Sequence, residues 1–125
     1  FPTRRSSDLF KHPKPLLSKE QWITSKDAIA DLEKLKETLP HILAQFEPER
    51  VFYIAGVDVH KDDRFGQMSL STADMAERDS FVISSVRKQK LPLVVVYGGG
   101  YNKHPQVTTE LHCQTVRIAK SFADC

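Results

Sequence analysis

The sequence predicts an α/β fold in which parallel strands alternate with helices. Two apolar runs rich in β-forming residues, 51–55 and 91–97, have the length of buried strands. The segments before, between and after them repeat their apolar residues every three or four positions, which is typical of helices. Strands separated by helices pair in parallel through right-handed crossovers, so we expect a layered α/β domain with both strands buried on both faces.

The first helix should begin at Thr24 or Ser25, because either hydroxyl can cap the N–H groups of the first turn. Pro40 falls inside the helical pattern and removes one backbone donor, so we expect a kink or a break near His41. Pro48 should end the element, just before the first strand.

The second helix should follow a polar loop, with Ser71 or Thr72 as its cap, and end at the basic run 87–90. Its apolar stripe consists of Met75, Phe81, Val82, Ile83 and Val86. The second strand ends abruptly at Gly98, and a third helix is expected at about 107–122.

Composition limits the classes of protein to which the chain can belong. The 125 residues carry 18 Lys and Arg against 16 Asp and Glu, a net charge of +2 with no dense basic block, so nucleic acid is not expected as a direct partner. No apolar run approaches the roughly 18 residues that span a bilayer, so we expect no membrane segment and a cytoplasmic protein. Cys113 and Cys125 suit neither a disulfide framework nor a Cys-based zinc site, and we interpret them as free thiols.

The first nine residues need a separate interpretation. FPTRRSSDL resembles the conceptual translation of a sequencing-library adapter and shows no helix or strand pattern. We therefore expect residues 1–9 to be an adapter artefact. The alternative is a disordered natural terminus, since polar termini are common.

Chemistry is expected where the two strands end, because ligands of open parallel sheets gather beyond the carboxyl ends of the strands. The first strand runs into Asp58, which could ligate a metal or position a substrate, and the second runs into Gly98, Gly99, Gly100 and Tyr101. Glycines at a strand end let the backbone approach a ligand closely. Each feature also has an ordinary interpretation, a loop cap for the aspartate and a tight turn for the glycines.

The ordered motifs YIAGVDVHKDDRFGQMSLS, AERD and LPLVVVYGGGY resemble the C-terminal portion of the histone deacetylase family, especially its bacterial and class IV-like branches. The resemblance covers about Glu47 to Phe122. It implies a three-layer α/β/α fold with a parallel sheet, of the arginase/deacetylase type, of which only the C-terminal part is present. Residues 10–125 would then be the C-terminal fragment of a deacetylase-like catalytic domain.

The resemblance also assigns roles to individual residues. Asp58 matches an aspartate ligand of the catalytic zinc ion, and Tyr101 matches the catalytic tyrosine that hydrogen-bonds the amide carbonyl. Phe65 matches an apolar substrate-binding residue at the tunnel mouth, and Gly99 and Gly100 match glycines of the tunnel floor.

The residue types suit amide hydrolysis, since a catalytic zinc needs three protein ligands and one open position. By the resemblance, the other two ligands and a histidine pair lie upstream, so we expect this fragment alone to be inactive. His60 is interpreted as a loop residue, because Asp58-Val59-His60 matches the later aspartate motif. His104 and His112 are interpreted as surface and helix-packing residues.

We therefore expect the full-length protein to hydrolyse an N-acetylated amine, in an acetyl-lysine protein or an acetylated small molecule such as an acetylpolyamine, to the free amine and acetate. One alternative is a non-catalytic relative that binds acetylated ligands. Another is a nucleotide-binding module in which residues 98–100 cradle phosphate, which is disfavoured because Tyr-Asn-Lys-His-Pro follows instead of a helix. An arginase-like hydrolase with two manganese ions would want a carboxylate at His60.

Overall fold

The computed structural model describes residues 25–123, with side chains from residue 32 onward, so the predictions for residues 1–9 and for Cys125 lie outside the described residues. The elements in chain order are α1 (Ser25–Phe46), β1 (Val51–Gly56), α2 (Thr72–Lys88), β2 (Leu93–Gly98) and α3 (Pro105–Ser121). The strands pair in parallel, with Val51 opposite Leu93 and Gly56 opposite Gly98. The predicted α/β class with a parallel sheet is therefore confirmed. No helix within the described range is long and apolar enough to cross a membrane.

Within the described residues, the sheet is covered on one face only. Tyr53 and Ala55 face α2 and α3, and Ala55 is fully buried. The opposite face is exposed, by 64% at Phe52 and 70% at Ile54, and Val94 and Val96 beside them are exposed as well. The prediction that both strands are buried on both faces is thus wrong for these residues, because α2, which connects the two strands, packs on one face and α3 packs beside it.

Helix α1 runs unbroken through Pro40, so of the predicted kink or break near His41 the break is wrong, and the kink stays a prediction. Pro40 is exposed, and water can satisfy the carbonyl one turn earlier that loses its N–H partner. The helix begins at Ser25, and the alternative cap Thr24 lies outside the described residues. Lys36 of this helix forms an ion pair with Glu77, with Nζ and Oε1 2.7 Å apart.

Helix α2 has the N-terminal cap that the sequence predicts. The Asp74 amide donates to Ser71 Oγ at 3.2 Å, and the Ser71 amide donates to Asp74 Oδ2 at 2.8 Å, which is a capping box. The predicted stripe is buried at Met75, Val82, Ile83 and Val86 and half-buried at Phe81. Helix α3 begins earlier than predicted, at Pro105, because proline fits the first turn of a helix without losing a hydrogen bond.

A buried polar cluster links the sheet to both covering helices. Asp79 is only 1% exposed and accepts hydrogen bonds from Tyr53 Oη at 2.6 Å, Arg78 Nε at 2.9 Å and Thr115 Oγ1 at 2.5 Å. Arg78 Nη1 also donates to the Gly56 carbonyl at 2.8 Å. Burial raises the pKa of Tyr53, as does the hydrogen bond to Asp79, while the Arg78 charge opposes the shift. The cluster therefore fixes the end of β1 against α2 and α3.

Replacing Asp79 with alanine is expected to destabilise the fold by about 3 to 5 kcal/mol, because it leaves the Arg78 guanidinium largely buried without its counter-charge. The measurement is denaturant unfolding of the full-length product of the gene. Glu77→Ala is the control, since it removes an exposed carboxylate two positions away on the same helix. Equal losses in the two variants would contradict the stabilising role of the cluster.

Candidate functional site

The two strand exits meet at one edge of the sheet, as the parallel pairing predicts. The Val57 amide, which directly follows β1 and precedes Asp58, donates to the Gly98 carbonyl at 3.0 Å. The Asp58 side chain lies over Gly99, where a Cβ atom would come within 2.6 Å of Asp58 Cγ. Gly99 also has a φ of +54°, which side chains rarely tolerate. Glycine is required at position 99 because the aspartate takes up the space beside it.

The Asp58 carboxylate faces an open cleft of about 340 Å³ at this edge. The cleft is lined by Ile54, Gly56, Asp58, Val59, Arg78, Gly98 and Gly99. Asp58 is exposed, and no residue in the described part of the chain donates a hydrogen bond to its carboxylate. Its oxygens are therefore available to a ligand.

A metal ion is compatible with Asp58 as one of its ligands. A carboxylate oxygen is an ordinary zinc ligand, and a catalytic site takes three protein ligands. Residues 32–123, whose side chains are described, contain no group of three His, Cys, Asp or Glu side chains that could hold a metal ion. The described residues thus offer one ligand and do not complete a site.

Tyr101 follows the glycine triplet and lies on the second cleft at this edge, of about 350 Å³. Its phenol ring is exposed and packs edge-on against Phe65, with ring centroids 5.4 Å apart and an interplanar angle of 77°. The lining of this cleft consists of Arg64, Gly100, Tyr101, Asn102, Pro105, Thr108 and Thr109. The fold thus brings Phe65 to Tyr101 and Gly99 to Asp58, while Asp58 and Tyr101 line different clefts in the described part of the chain.

Gly100 is constrained by close packing. Its φ is +111°, and a Cβ there would lie 2.5 Å from Val57 Cγ2 and 2.7 Å from Thr108 Cγ2. The segment after β2 is therefore packed tightly between the segment after β1 and helix α3. This packing is a structural reason for the glycine, and its predicted part in substrate binding stays a prediction.

Asp63 was not predicted, yet it connects the loops that carry Phe65 and Tyr101. Its Oδ2 accepts the Tyr101 amide at 2.6 Å, and its Oδ1 accepts the amides of Gly66 at 2.7 Å and Phe65 at 2.9 Å. Burial favours a higher pKa for Asp63, but the three amide hydrogen bonds and the nearby His60 outweigh it and lower the pKa. The sequence Asp-Arg-Phe-Gly is typical of an aspartate-stabilised turn, and it is the one local feature from which the role of Asp63 could have been predicted.

His60 is a buried structural residue of the loop between β1 and α2. It is 2% exposed, with Nε2 3.3 Å from Thr72 Oγ1 and Nδ1 3.4 Å from Asn102 Nδ2. Nδ1 also accepts the Asp62 amide at 3.3 Å. Its placement fits the interpretation as a loop residue, and it does not line the cleft of Asp58. The burial itself was not predicted.

The other two histidines within the described range lie on or next to α3. His104 is exposed and precedes the helix. His112 is half-buried and contacts Tyr97 edge-on, with ring centroids 4.9 Å apart. Both fit the predicted surface and packing roles. Cys113 on the same helix is a free thiol.

The fold and its strand exits define an α/β protein with a free aspartate and a phenol at the carboxyl edge of a parallel sheet. A family model described as "Histone deacetylase domain" matches residues 21–118. Because this range is most of the chain, the chain belongs to the histone deacetylase family.

Two curated relatives are similar to the same region. An uncharacterized protein of Picosynechococcus sp. is 37% identical over 89 residues, which cover 71% of this chain and 30% of the relative. Histone deacetylase 2 of Arabidopsis thaliana is 38% identical over 72 residues, covering 58% of this chain and 19% of the relative. The chain therefore spans about a third or less of the length of these relatives.

Proposed function

We propose that the full-length product to which this chain belongs is a zinc-dependent deacetylase that converts an N-acetylated amine to the free amine and acetate. The observation that carries the proposal is the Asp58 carboxylate, which faces a cleft at the strand exit and has no donor among the described residues. Membership of the histone deacetylase family supports the same reaction class. The proposed substrates are acetyl-lysine side chains of proteins or acetylated small molecules.

In this proposal Asp58 supplies one of the zinc ligands, and Tyr101 acts on the substrate. A bound zinc ion would supply an activated water and would polarise the acetyl carbonyl. As water attacks an amide, negative charge develops on the carbonyl oxygen, and the Tyr101 phenol donates a hydrogen bond to it. Phe65, with its exposed ring beside Tyr101, provides apolar contact for the aliphatic part of the substrate.

The structure gives physical reasons against two of the alternatives. A phosphate in the glycine loop would meet the Asp58 carboxylate, which already packs on Gly99, and the like charges would repel each other. A second metal ligand of the arginase kind at position 60 would need an accessible carboxylate, whereas His60 is buried and hydrogen-bonded.

The test is acetate release by the purified full-length product from an acetyl-lysine peptide and from an acetylpolyamine. We expect turnover that a chelator abolishes and added zinc restores, because a bound zinc ion would activate the water and polarise the carbonyl. Tight binding of the acetylated ligand without acetate release would instead support the non-catalytic relative. Turnover that is unaffected by complete metal removal would contradict the zinc dependence.

A further inference from the structure

Asp63 occupies the junction between the two strand-exit loops. Its two carboxylate oxygens are divided between them, with Oδ1 on the amides of Phe65 and Gly66 and Oδ2 on the amide of Tyr101. The Arg64 amide donates to the Tyr101 carbonyl at 3.3 Å, so Tyr101 is held through both of its backbone polar groups.

The Tyr101 ring has little else to hold it among the described residues. The phenol is 59% exposed, and the Phe65 ring against which it packs is 67% exposed. Gly99 and Gly100 come directly before it, both with positive φ, and glycine leaves the backbone unusually free. The hydrogen bond from the Tyr101 amide to Asp63 therefore fixes the backbone directly after the two flexible glycines.

The Asp63 carboxylate also positions the ring of Phe65. By holding the Phe65 and Gly66 amides, it closes the turn that presents Phe65 beside Tyr101. Gly66 in turn lies against the Asp58 carbonyl, where any Cβ would clash with the oxygen. One side chain thus connects the loop that begins at Asp58 with the residue that follows the glycine triplet.

We propose that Asp63 is a positioning residue that sets the Tyr101 phenol, and with it the adjacent Phe65, for reaction. The role in the reaction rests on the proposed deacetylase function. Asp63 does not contact the substrate itself, and it acts through the backbone of the two residues that do.

The first variant is Asp63→Asn, with Asp62→Asn as the matched control in the same loop. An asparagine keeps one acceptor oxygen and replaces the other with an NH₂ group, which faces an amide donor in either orientation. We expect kcat to fall by about 10- to 100-fold with little change in KM or zinc content, the size of effect that a misplacement of roughly 1 Å produces. Asp62→Asn removes an exposed carboxylate and should retain the parent rate.

A double-mutant cycle separates positioning from a general structural role. If Asp63 acts through the phenol, Asp63→Asn should lower kcat in the parent but add little in a Tyr101→Phe background. The same fold loss in both backgrounds, or a loss of zinc, would overturn the proposal. Should the Asn variant fail to fold, Asp63→Glu takes its place, since it keeps the charge and moves the carboxylate by one methylene.

A readout without turnover tests the positioning separately from the proposed function. The protein is labelled with 3-fluorotyrosine, and the Tyr101 resonance is assigned by its absence in Tyr101→Phe. We expect Asp63→Asn to shift or broaden this resonance and Asp62→Asn to leave it unchanged. An unchanged Tyr101 resonance in Asp63→Asn would overturn the positioning role, whereas an inactive parent protein with the expected spectra would refute only the deacetylase function.

Discussion

Replacing Asp58 with alanine is expected to remove bound zinc and acetate release together. In the proposed function the carboxylate is one of the three ligands of a catalytic zinc, so its loss should lower zinc affinity by more than the roughly 10- to 100-fold that outer-shell partners contribute. Zinc per protein and acetate release are measured on the same full-length preparation. Because no described residue donates a hydrogen bond to this carboxylate, the variant should remain folded.

Asp62→Ala is the control for Asp58→Ala, as both changes remove an exposed aspartate from the same loop. The control should keep the zinc content and rate of the parent. An Asp58→Asn variant adds a second comparison, because it retains a neutral oxygen and loses the charge that attracts the cation. Parental zinc content in Asp58→Ala would show that Asp58 is not a ligand, even if the rate fell.

The sequence predicts the strands well and their surroundings less well. The apolar runs are too short for helices, and the helix between them requires parallel pairing, which the register from Val51 to Gly56 confirms. The same apolar runs cannot reveal whether both faces are covered, and Phe52 and Ile54 are exposed among the described residues. Pro40 shows a similar limit, because its effect on a helix depends on whether water reaches the affected carbonyl.

At the candidate site, the sequence predicts the residues that follow each strand, but it does not predict the residues that hold them in place. Asp58 and Tyr101 stand out because each follows a strand, and parallel strands end at the same edge. Asp63 and Asp79 acquire their roles through partners 38 and 36 residues away in sequence. Asp79 also occupies a core position of the apolar stripe of α2. An aspartate at such a position indicates a buried polar network rather than a break in the apolar stripe.

Changing Tyr101 to phenylalanine is expected to lower kcat by roughly 10²- to 10³-fold while zinc content stays at the parental level. The substitution removes the hydroxyl that, in the proposed function, donates to the developing oxyanion, and it keeps the ring that packs against Phe65. Ground-state binding depends less on this hydrogen bond than the transition state does, so KM should change little. Steady-state kinetics on an acetyl-lysine peptide, with metal analysis of the same sample, make the comparison.

Tyr97→Phe is the matched control, because it removes a hydroxyl from an exposed tyrosine on β2, four residues before Tyr101. Its ring contacts His112 and belongs to neither the Asp58 cleft nor the Tyr101 cleft, so the rate should match that of the parent. Equal losses in the two variants would indicate a general effect of removing a phenol from this edge. An unchanged rate in Tyr101→Phe would refute the role of the phenol, since the carbonyl oxygen would then be stabilised without it.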